Sequence, residues 1–226
     1  MRPVFLLALL FFAVPAQAQP VQHVVELFTS QGCPSCPEAE VFLGDLQAER
    51  SEVLVLGMHV DYFDGNGWKD AFSSRLFTAR QVLYGNVLQV PQVFTPQAVV
   101  NGQFSMVGYE QAEVRAALTK PSLQAAEIGL TVLNDKDMSL KVKLPFAVQN
   151  AAVLVVGYRD SGTVAVGGDN FFSVSPVVLF NKVGVLNGQE ATYDLTYDAS
   201  LDGLNLAALV QQGDFGPMIA AARLVR

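Results

Sequence analysis

The sequence predicts an α/β unit followed by a mostly antiparallel, β-sandwich-like unit, and three observations carry that expectation. Apolar runs and helix-period segments alternate from His23 to about Lys120. Asn101-Gly102, the strongest short hairpin signal in a sequence, interrupts that alternation near its end. Beyond Pro121 helical periodicity gives way to short β runs punctuated by Gly, Asn and Asp.

The chain opens with Met1-Arg2-Pro3, an apolar run from Val4 to Val14, and Ala16-Gln17-Ala18. This order of charged, apolar and small residues is that of a secretory signal peptide, so residues 1–18 are expected to be removed, leaving a periplasmic or secreted protein. No later segment approaches the roughly 20 consecutive apolar residues of a membrane-spanning helix, so no integral membrane segment is expected in the mature chain.

The first unit is assigned to residues 19–121. His23 to Phe28 reads as a strand, Pro34 to Gln47 as a helix and Val53 to Val60 as a second strand, most economically parallel to the first. Asp61 to Gly67 is turn-rich. Ser73 or Ser74 caps a helix reaching Tyr84, with Leu76, Ala79 and Leu83 aligned. Thr95 to Val100 leads into the Asn-Gly turn, Gln103 to Val107 returns, and a helix from Glu110 to Leu118 closes the unit. Pro121-Ser122 links it to residues 122–226. There Ile128–Leu133, Leu140–Leu144, Val153–Tyr158, Val174–Phe180, Thr192–Leu195, Leu206–Gln211 and Met218–Val225 read as strands of an antiparallel sandwich or compact β module.

With 226 residues and 51% hydrophobic content the chain can bury a full core. Its net charge of -7 becomes -8 when Arg2 leaves with the signal, and no Lys/Arg cluster follows. Nucleic acid and anionic membrane surfaces are thereby poor partners.

The two cysteines stand together in Leu27-Phe28-Thr29-Ser30-Gln31-Gly32-Cys33-Pro34-Ser35-Cys36-Pro37. An exported compartment permits a disulfide, and a bridge closing so small a loop constrains the unfolded chain little. Redox chemistry is the better reason for it, with an inert structural disulfide as the alternative. Half of a zinc site is poorer, since a closed site wants four ligands and His23 and His59 are the only histidines. The pair falls between a strand and a helix whose inward face carries Cys36, Ala39, Leu43 and Leu46. Unpaired N–H groups and the macrodipole at that helix start favour a thiolate. Cys33 is read as the attacking thiol and Cys36 as the resolving one. Pro37 fits the first turn, where its missing N–H has no intrahelical partner to lose.

His59 and Asp61 end the second strand, at the sheet edge where ligands of open α/β sheets gather. His59 is a candidate for lowering the Cys33 pKa or moving a proton. Equally, His59 and Asp61 bond the loop while Trp68 packs beneath it. Glu26, on the strand before the motif, is a candidate proton acceptor for Cys36 if burial raises its pKa.

Thr95-Pro96, ahead of a strand and an Asn-Gly hairpin, resembles the cis-proline position of the thioredoxin architecture, where the preceding residue's backbone pairs with an extended substrate. Pro91 is the competing candidate. Val25 to Cys33, Ser35-Cys36-Pro37, His59-Val60-Asp61-Tyr62, Gly67-Trp68-Lys69-Asp70, Arg80-Gln81, Tyr84, Thr95-Pro96-Gln97 and Val99-Val100-Asn101-Gly102 together resemble the exported, thioredoxin-like family called domain of unknown function 1223. In the second unit Gly168-Asp169-Asn170, Asn181-Lys182-Val183, Gln211, Gly216-Pro217 and Ala220-Ala221 look like degraded versions of its pattern. Phe171-Phe172 stands where the family tends to carry arginines, so an anion-binding role of that turn is not carried over. The resemblance implies a thioredoxin-like first domain and a thiol–disulfide oxidoreductase, with Pro96 shaping the substrate surface. No organic cofactor is expected, and the implied partners are protein or small-molecule thiols and disulfides of the exported compartment. Two rival readings stay open. One is a copper-handling protein using Cys33, Cys36 and His59; the other is a binding module with a vestigial disulfide.

Overall fold

A computed structural model describes residues 18–134, 136–197 and 201–224, so the expected signal segment, save Ala18, and the strand end at Val225 lie outside the described residues. The first elements are β1 (Ala18–Val21), β2 (His23–Thr29), α1 (Cys36–Glu49), β3 (Val53–His59), α2 (Arg75–Val87), β4 (Gln97–Val100), β5 (Phe104–Val107) and α3 (Gln111–Ala117). Strands β3-β2-β4-β5 form a four-stranded sheet in that order. The β2–β3 pair is parallel across the α1 crossover, as the alternation of elements predicts, and the other two pairs are antiparallel.

Period-two alternation decides what each strand residue touches. Val25 and Leu27 join Val53, Val55, Ala98 and Val100 on the face covered by Ala39, Leu43 and Leu46 of α1 and Val114 of α3. Val24 and Phe28, with Leu54, Leu56, Met58 and Val99, line the opposite face, packed by Phe77 and Tyr84 of α2 and by Leu154, Val156, Ala207 and Leu209 of the second unit. Every residue of β2 and β3 is buried. Each fully buried Val or Leu side chain there contributes about 1.5–3 kcal/mol.

Helix α2 corrects an expectation. Its N-cap is Ser74, whose hydroxyl accepts from the Leu76 N–H at 3.2 Å. The buried face, however, is Phe77, Arg80, Gln81 and Tyr84, while Leu76 is 48% and Leu83 40% exposed. The inward stripe is partly polar because its neighbours are polar, which periodicity of apolar residues does not register.

The remaining strands are β6 (Glu127–Val132), β7 (Asp137–Tyr158), β8 (Gly162–Val166), β9 (Asp169–Ser173), β10 (Val177–Thr196), β11 (Asn205–Gln212) and β12 (Met218–Leu224). Rather than two stacked sheets, most of them form one six-stranded sheet, curled until it is nearly closed. Runs expected as separate strands are fused into β7 and β10. β6 pairs with the first half of β7 and β11 with the second, while β10 follows both halves along the other edge. The bends fall at Asn150 (φ 53°) and around Gly184 and Gly188, where the β7–β10 register shifts. Bulges bend a strand and strengthen its twist without ending it, so these turn-like residues mark corners of continuous strands. At Gly184 the Tyr193 ring lies where a Cβ would sit, 2.3 Å from that position.

Strand β1 pairs with β12 of the large sheet. The β8–β9 hairpin, absent from the predicted strands, leaves the large sheet and packs on α1, with Phe172 against Gly44. Among the described residues no helix is long and apolar enough to cross a membrane.

Candidate functional site

Cys33 and Cys36 are joined by a disulfide, with their Cα atoms 5.4 Å apart. The chain leaves β2 at Thr29 and turns twice: the Cys33 N–H donates to the Ser30 carbonyl at 3.1 Å and the Cys36 N–H to the Cys33 carbonyl at 3.3 Å. Helix α1 therefore starts at Cys36, two residues later than Pro34, with Pro37 in its first turn. Cys33 precedes the helix, and both cysteines are nearly covered, 3% and 1% exposed, whereas Pro34 and Ser35 between them face solvent.

The sulfur of Cys33 meets the residues before β4. The Thr95 hydroxyl donates to Cys33 Sγ at 3.4 Å, and the Ser35 hydroxyl reaches the Thr95 carbonyl at 3.5 Å. The Thr95–Pro96 bond is cis. This segment is anchored on both sides: Gln81 Nε2 donates to the Phe94 carbonyl at 2.7 Å and to Gln97 Oε1 at 2.9 Å, and the Gly108 N–H donates to the Pro96 carbonyl at 2.8 Å.

Behind Cys36 lies a group of buried acids and one histidine. Glu40 follows Cys36 by one turn of α1, on the same inward face. Glu40 Oε1 accepts from the Thr29 hydroxyl at 2.8 Å, and Oε2 accepts from the Val174 N–H at 2.7 Å. His59 Nε2 stands 3.9 Å from Glu40 Oε1. His59 Nδ1 lies 2.9 Å from Asp70 Oδ2, which also accepts from the Gln31 N–H at 2.7 Å and the Ser30 hydroxyl at 3.1 Å. Phe72 covers the imidazole edge-on, its ring centroid 5.3 Å away.

Burial pushes the Glu40 carboxyl above its ordinary range; the charge of His59, the Val174 N–H and the Thr29 hydroxyl only partly offset this. Burial acts the same way on Asp70, but the hydrogen bond and charge of His59, with the N–H groups of Phe72 and Gln31, outweigh it and hold that carboxyl low. Asp70 is then the ionised acceptor, so Nδ1 carries the proton it donates. His59 Nε2 is left buried without a hydrogen-bond partner among the described residues. A cavity of about 90 Å³ opens beside this group, lined by Gln31, Cys36, Glu40 and, from β9, Asn170, Phe171 and Phe172.

The sequence candidates distribute as follows. His59 belongs to this group, through Glu40 and Asp70. Glu26 does not: alternation turns it to the face opposite α1, where Arg80 Nε and Nη2 donate to its two oxygens at 2.6 and 3.1 Å and the Tyr84 hydroxyl donates at 2.6 Å. It is an ion-paired carboxylate, separated by the sheet from the helix bearing Cys36. Asp61 accepts from the Thr78 hydroxyl at 2.5 Å and ties its loop to α2. Trp68 packs between the cysteine loop and the β8–β9 turn, against Gly32 on one side and Gly167 on the other. Glu40 is not among the sequence candidates, whereas Asp70 and Thr95 stand in the motifs Gly67-Trp68-Lys69-Asp70 and Thr95-Pro96 with no side-chain role assigned to them. The available signal for Glu40 was its position four residues after Cys36 on the helical face that already held Ala39 and Leu43. Among the described residues no three His, Cys, Asp or Glu side chains are grouped as metal ligands, and His59 is turned toward Asp70 and Glu40.

Fold and site thus define a mixed α/β protein with a disulfide at the head of a sheet-covering helix. The chain belongs to the family described as protein of unknown function (DUF1223), which matches residues 24–211 and so runs through both sheets. It is similar to an X-ray crystal structure of a protein from Agrobacterium tumefaciens, with 28% identity and a TM-score of 0.74, covering 93% of this chain and 96% of that one. No curated protein shows a significant match.

Proposed function

We propose that this protein is an exported thiol–disulfide oxidoreductase whose first unit is thioredoxin-like. The observation that carries the reading is the Cys33–Cys36 disulfide at the start of α1, with Cys33 Sγ under the Thr95 hydroxyl at the entry to β4. Parallel β2 and β3 joined through α1, followed by antiparallel β4 and β5, support the thioredoxin-like assignment. The signal-like first 18 residues support export.

In the reducing direction the Cys33 thiolate attacks a substrate disulfide, one substrate thiolate leaves and takes a proton from solvent, and a mixed disulfide forms. Cys36 then attacks Cys33 Sγ, releasing the second substrate thiol and closing the bridge. Two electrons pass from the dithiol to the substrate, and an external dithiol donor restores them. Oxidation of a substrate dithiol is the same sequence reversed.

The test is a trapping experiment with a potential measurement. Cys36→Ser, incubated with glutathione disulfide, is expected to accumulate a mixed disulfide at Cys33, and Cys33→Ser is not. The wild-type pair is expected to equilibrate with glutathione buffers. Absence of trapping, with a potential below about -300 mV as structural disulfides have, overturns the reading.

A further inference from the structure

We propose that Glu40, held in place by the second unit, carries the proton of Cys36 during thiol–disulfide exchange. This rests on the oxidoreductase reading above and assigns to the β-rich unit a part in the chemistry.

Four observations converge on it. Glu40 is 3% exposed, on the inward face of α1 one turn after Cys36, and both residues line the same cavity. Its carboxyl is gripped from two units, by the Thr29 hydroxyl of β2 and by the Val174 N–H that follows β9. Glu26, the acid on the strand leading into the motif, is committed to Arg80 on the far face of the sheet. Finally, the imidazole 3.9 Å from Glu40 leaves its Nε2 without a hydrogen-bond partner among the described residues and is itself held by Asp70, so Glu40 has a histidine beside it rather than an arginine locked onto it as Glu26 has.

In the mixed disulfide Cys36 is a thiol. Its proton passes to the Glu40 carboxylate, the resulting thiolate attacks Cys33 Sγ, and the bond from Cys33 to the substrate sulfur breaks. The substrate leaves as a thiolate that is protonated by solvent. Glu40 returns its proton to solvent through the cavity, whose volume of about 90 Å³ is enough to admit water. In the reverse direction the protonated Glu40 supplies the proton that the departing Cys36 needs. Burial raises the Glu40 carboxyl above its ordinary range, the direction that makes a carboxylate a better proton acceptor. The titratable groups facing it are His59 from β3 and Asp70 behind His59, with the hydroxyl and N–H donors named above.

Val174 makes this arrangement dependent on the second unit. The segment after β9 runs along β3, where the Gly57 N–H donates to the Ser175 carbonyl at 3.0 Å, and a Cβ on Gly57 would lie 2.5 Å from the Val174 carbonyl oxygen. That close approach brings the Val174 N–H onto Glu40, and the β8–β9 hairpin supplies the cavity wall opposite Cys36.

The experiment follows the reaction of the reduced, full-length mature protein with glutathione disulfide from pH 5 to pH 9, separating the first thiol release from the second. Glu40→Gln is expected to slow the second release at least tenfold near neutral pH and to remove an inflection from its pH profile, while the first release changes less than twofold. Unchanged rate and profile of the second step overturn the proposal. If the wild-type protein makes no mixed disulfide at all, the oxidoreductase reading fails instead, so the two failures are distinguishable. A measurement on the wild type covers the case in which Glu40→Gln does not fold. Time-resolved infrared spectra taken as the mixed disulfide resolves are expected to show a buried carboxyl that is protonated transiently, and the absence of any transient carboxyl band overturns the assignment.

Discussion

On one face of the small sheet Glu26 and Arg80 meet in a bidentate pair, closed by the Tyr84 hydroxyl and by Gln211 Oε1 3.0 Å from Arg80 Nη2. The Phe180 ring lies 4.7 Å from the same guanidinium. On the other face Glu40 and His59 stand 3.9 Å apart, beyond hydrogen-bond distance, and Nε2 has no hydrogen-bond partner among the described residues. Both groups are buried and both reach into the second unit, through Gln211 in one case and Val174 in the other. Their difference is one of satisfaction. A buried charge pair with its hydrogen bonds made resists change, whereas a buried acid with hydroxyl and amide donors alone can exchange its proton. The first is a clamp between units; the second is suited to chemistry.

That comparison breaks most visibly at Arg80. Arg80→Met leaves Glu26 buried and unpaired, and a loss of about 3–5 kcal/mol is expected, roughly a 10 °C fall in melting temperature. Glu26→Gln in the same chain is expected to recover much of it, and the thiol titration of the reduced protein is expected not to move. Denaturant unfolding and thiol alkylation check the two halves. A large thiol shift in Arg80→Met would mean that the two faces are coupled.

Asp70→Asn acts on the other face. It keeps an acceptor for Gln31 and Ser30 but loses the charge toward His59, for an expected cost of about 1–3 kcal/mol. The sign with pH follows from its lowered carboxyl: the stabilisation is present above the ordinary carboxylate range and is lost as pH falls through the folded value. Melting curves from pH 2 to pH 6 should show the wild type converging on the variant in acid.

Glu40→Gln should behave oppositely. A raised carboxyl holds its proton more tightly in the folded protein, so its contribution is complete below the ordinary range and is lost as pH rises through the folded value. A permanently neutral amide escapes that loss. Relative to wild type, the variant's melting temperature is expected to rise by a few degrees between about pH 5 and pH 8, and scanning calorimetry at the two pH values checks it.

The smallest effect is expected at Gly44→Ala, where the new Cβ would lie 3.2 Å from Phe172 Cζ. The hairpin must yield by a few tenths of an ångström. Helix propensity offsets that by about 1 kcal/mol, so stability should be nearly unchanged. A measurable change in the resolution rate of the thiols in this variant would tie β9 directly to the site.

Local signals in the sequence were enough for β2, α1 and β3, because an apolar strand, a helix-period face and a turn are properties of neighbouring residues. The Asn101-Gly102 turn was legible for the same reason, since both residues take positive φ, 52° and 65°. The C-x-x-C at the head of a helix was legible too. What the turn does beyond that was not: the Met218 N–H donates to the Asn101 carbonyl at 2.9 Å, and a Cβ on Gly102 would meet the Gly216 carbonyl oxygen at 2.7 Å. The inward face of α2, the fusion of β7 and β10 and the placing of Glu40, rather than Glu26, on the side of the sheet that α1 covers were likewise settled only by tertiary structure. In each case the deciding contact joins residues far apart in the chain. Whether a polar side chain is a core ion pair, a corner or a proton carrier depends on which distant group covers it. Sequence alone determined which residues lie on a common local face; packing determined which face is buried and which acid sits behind the thiols.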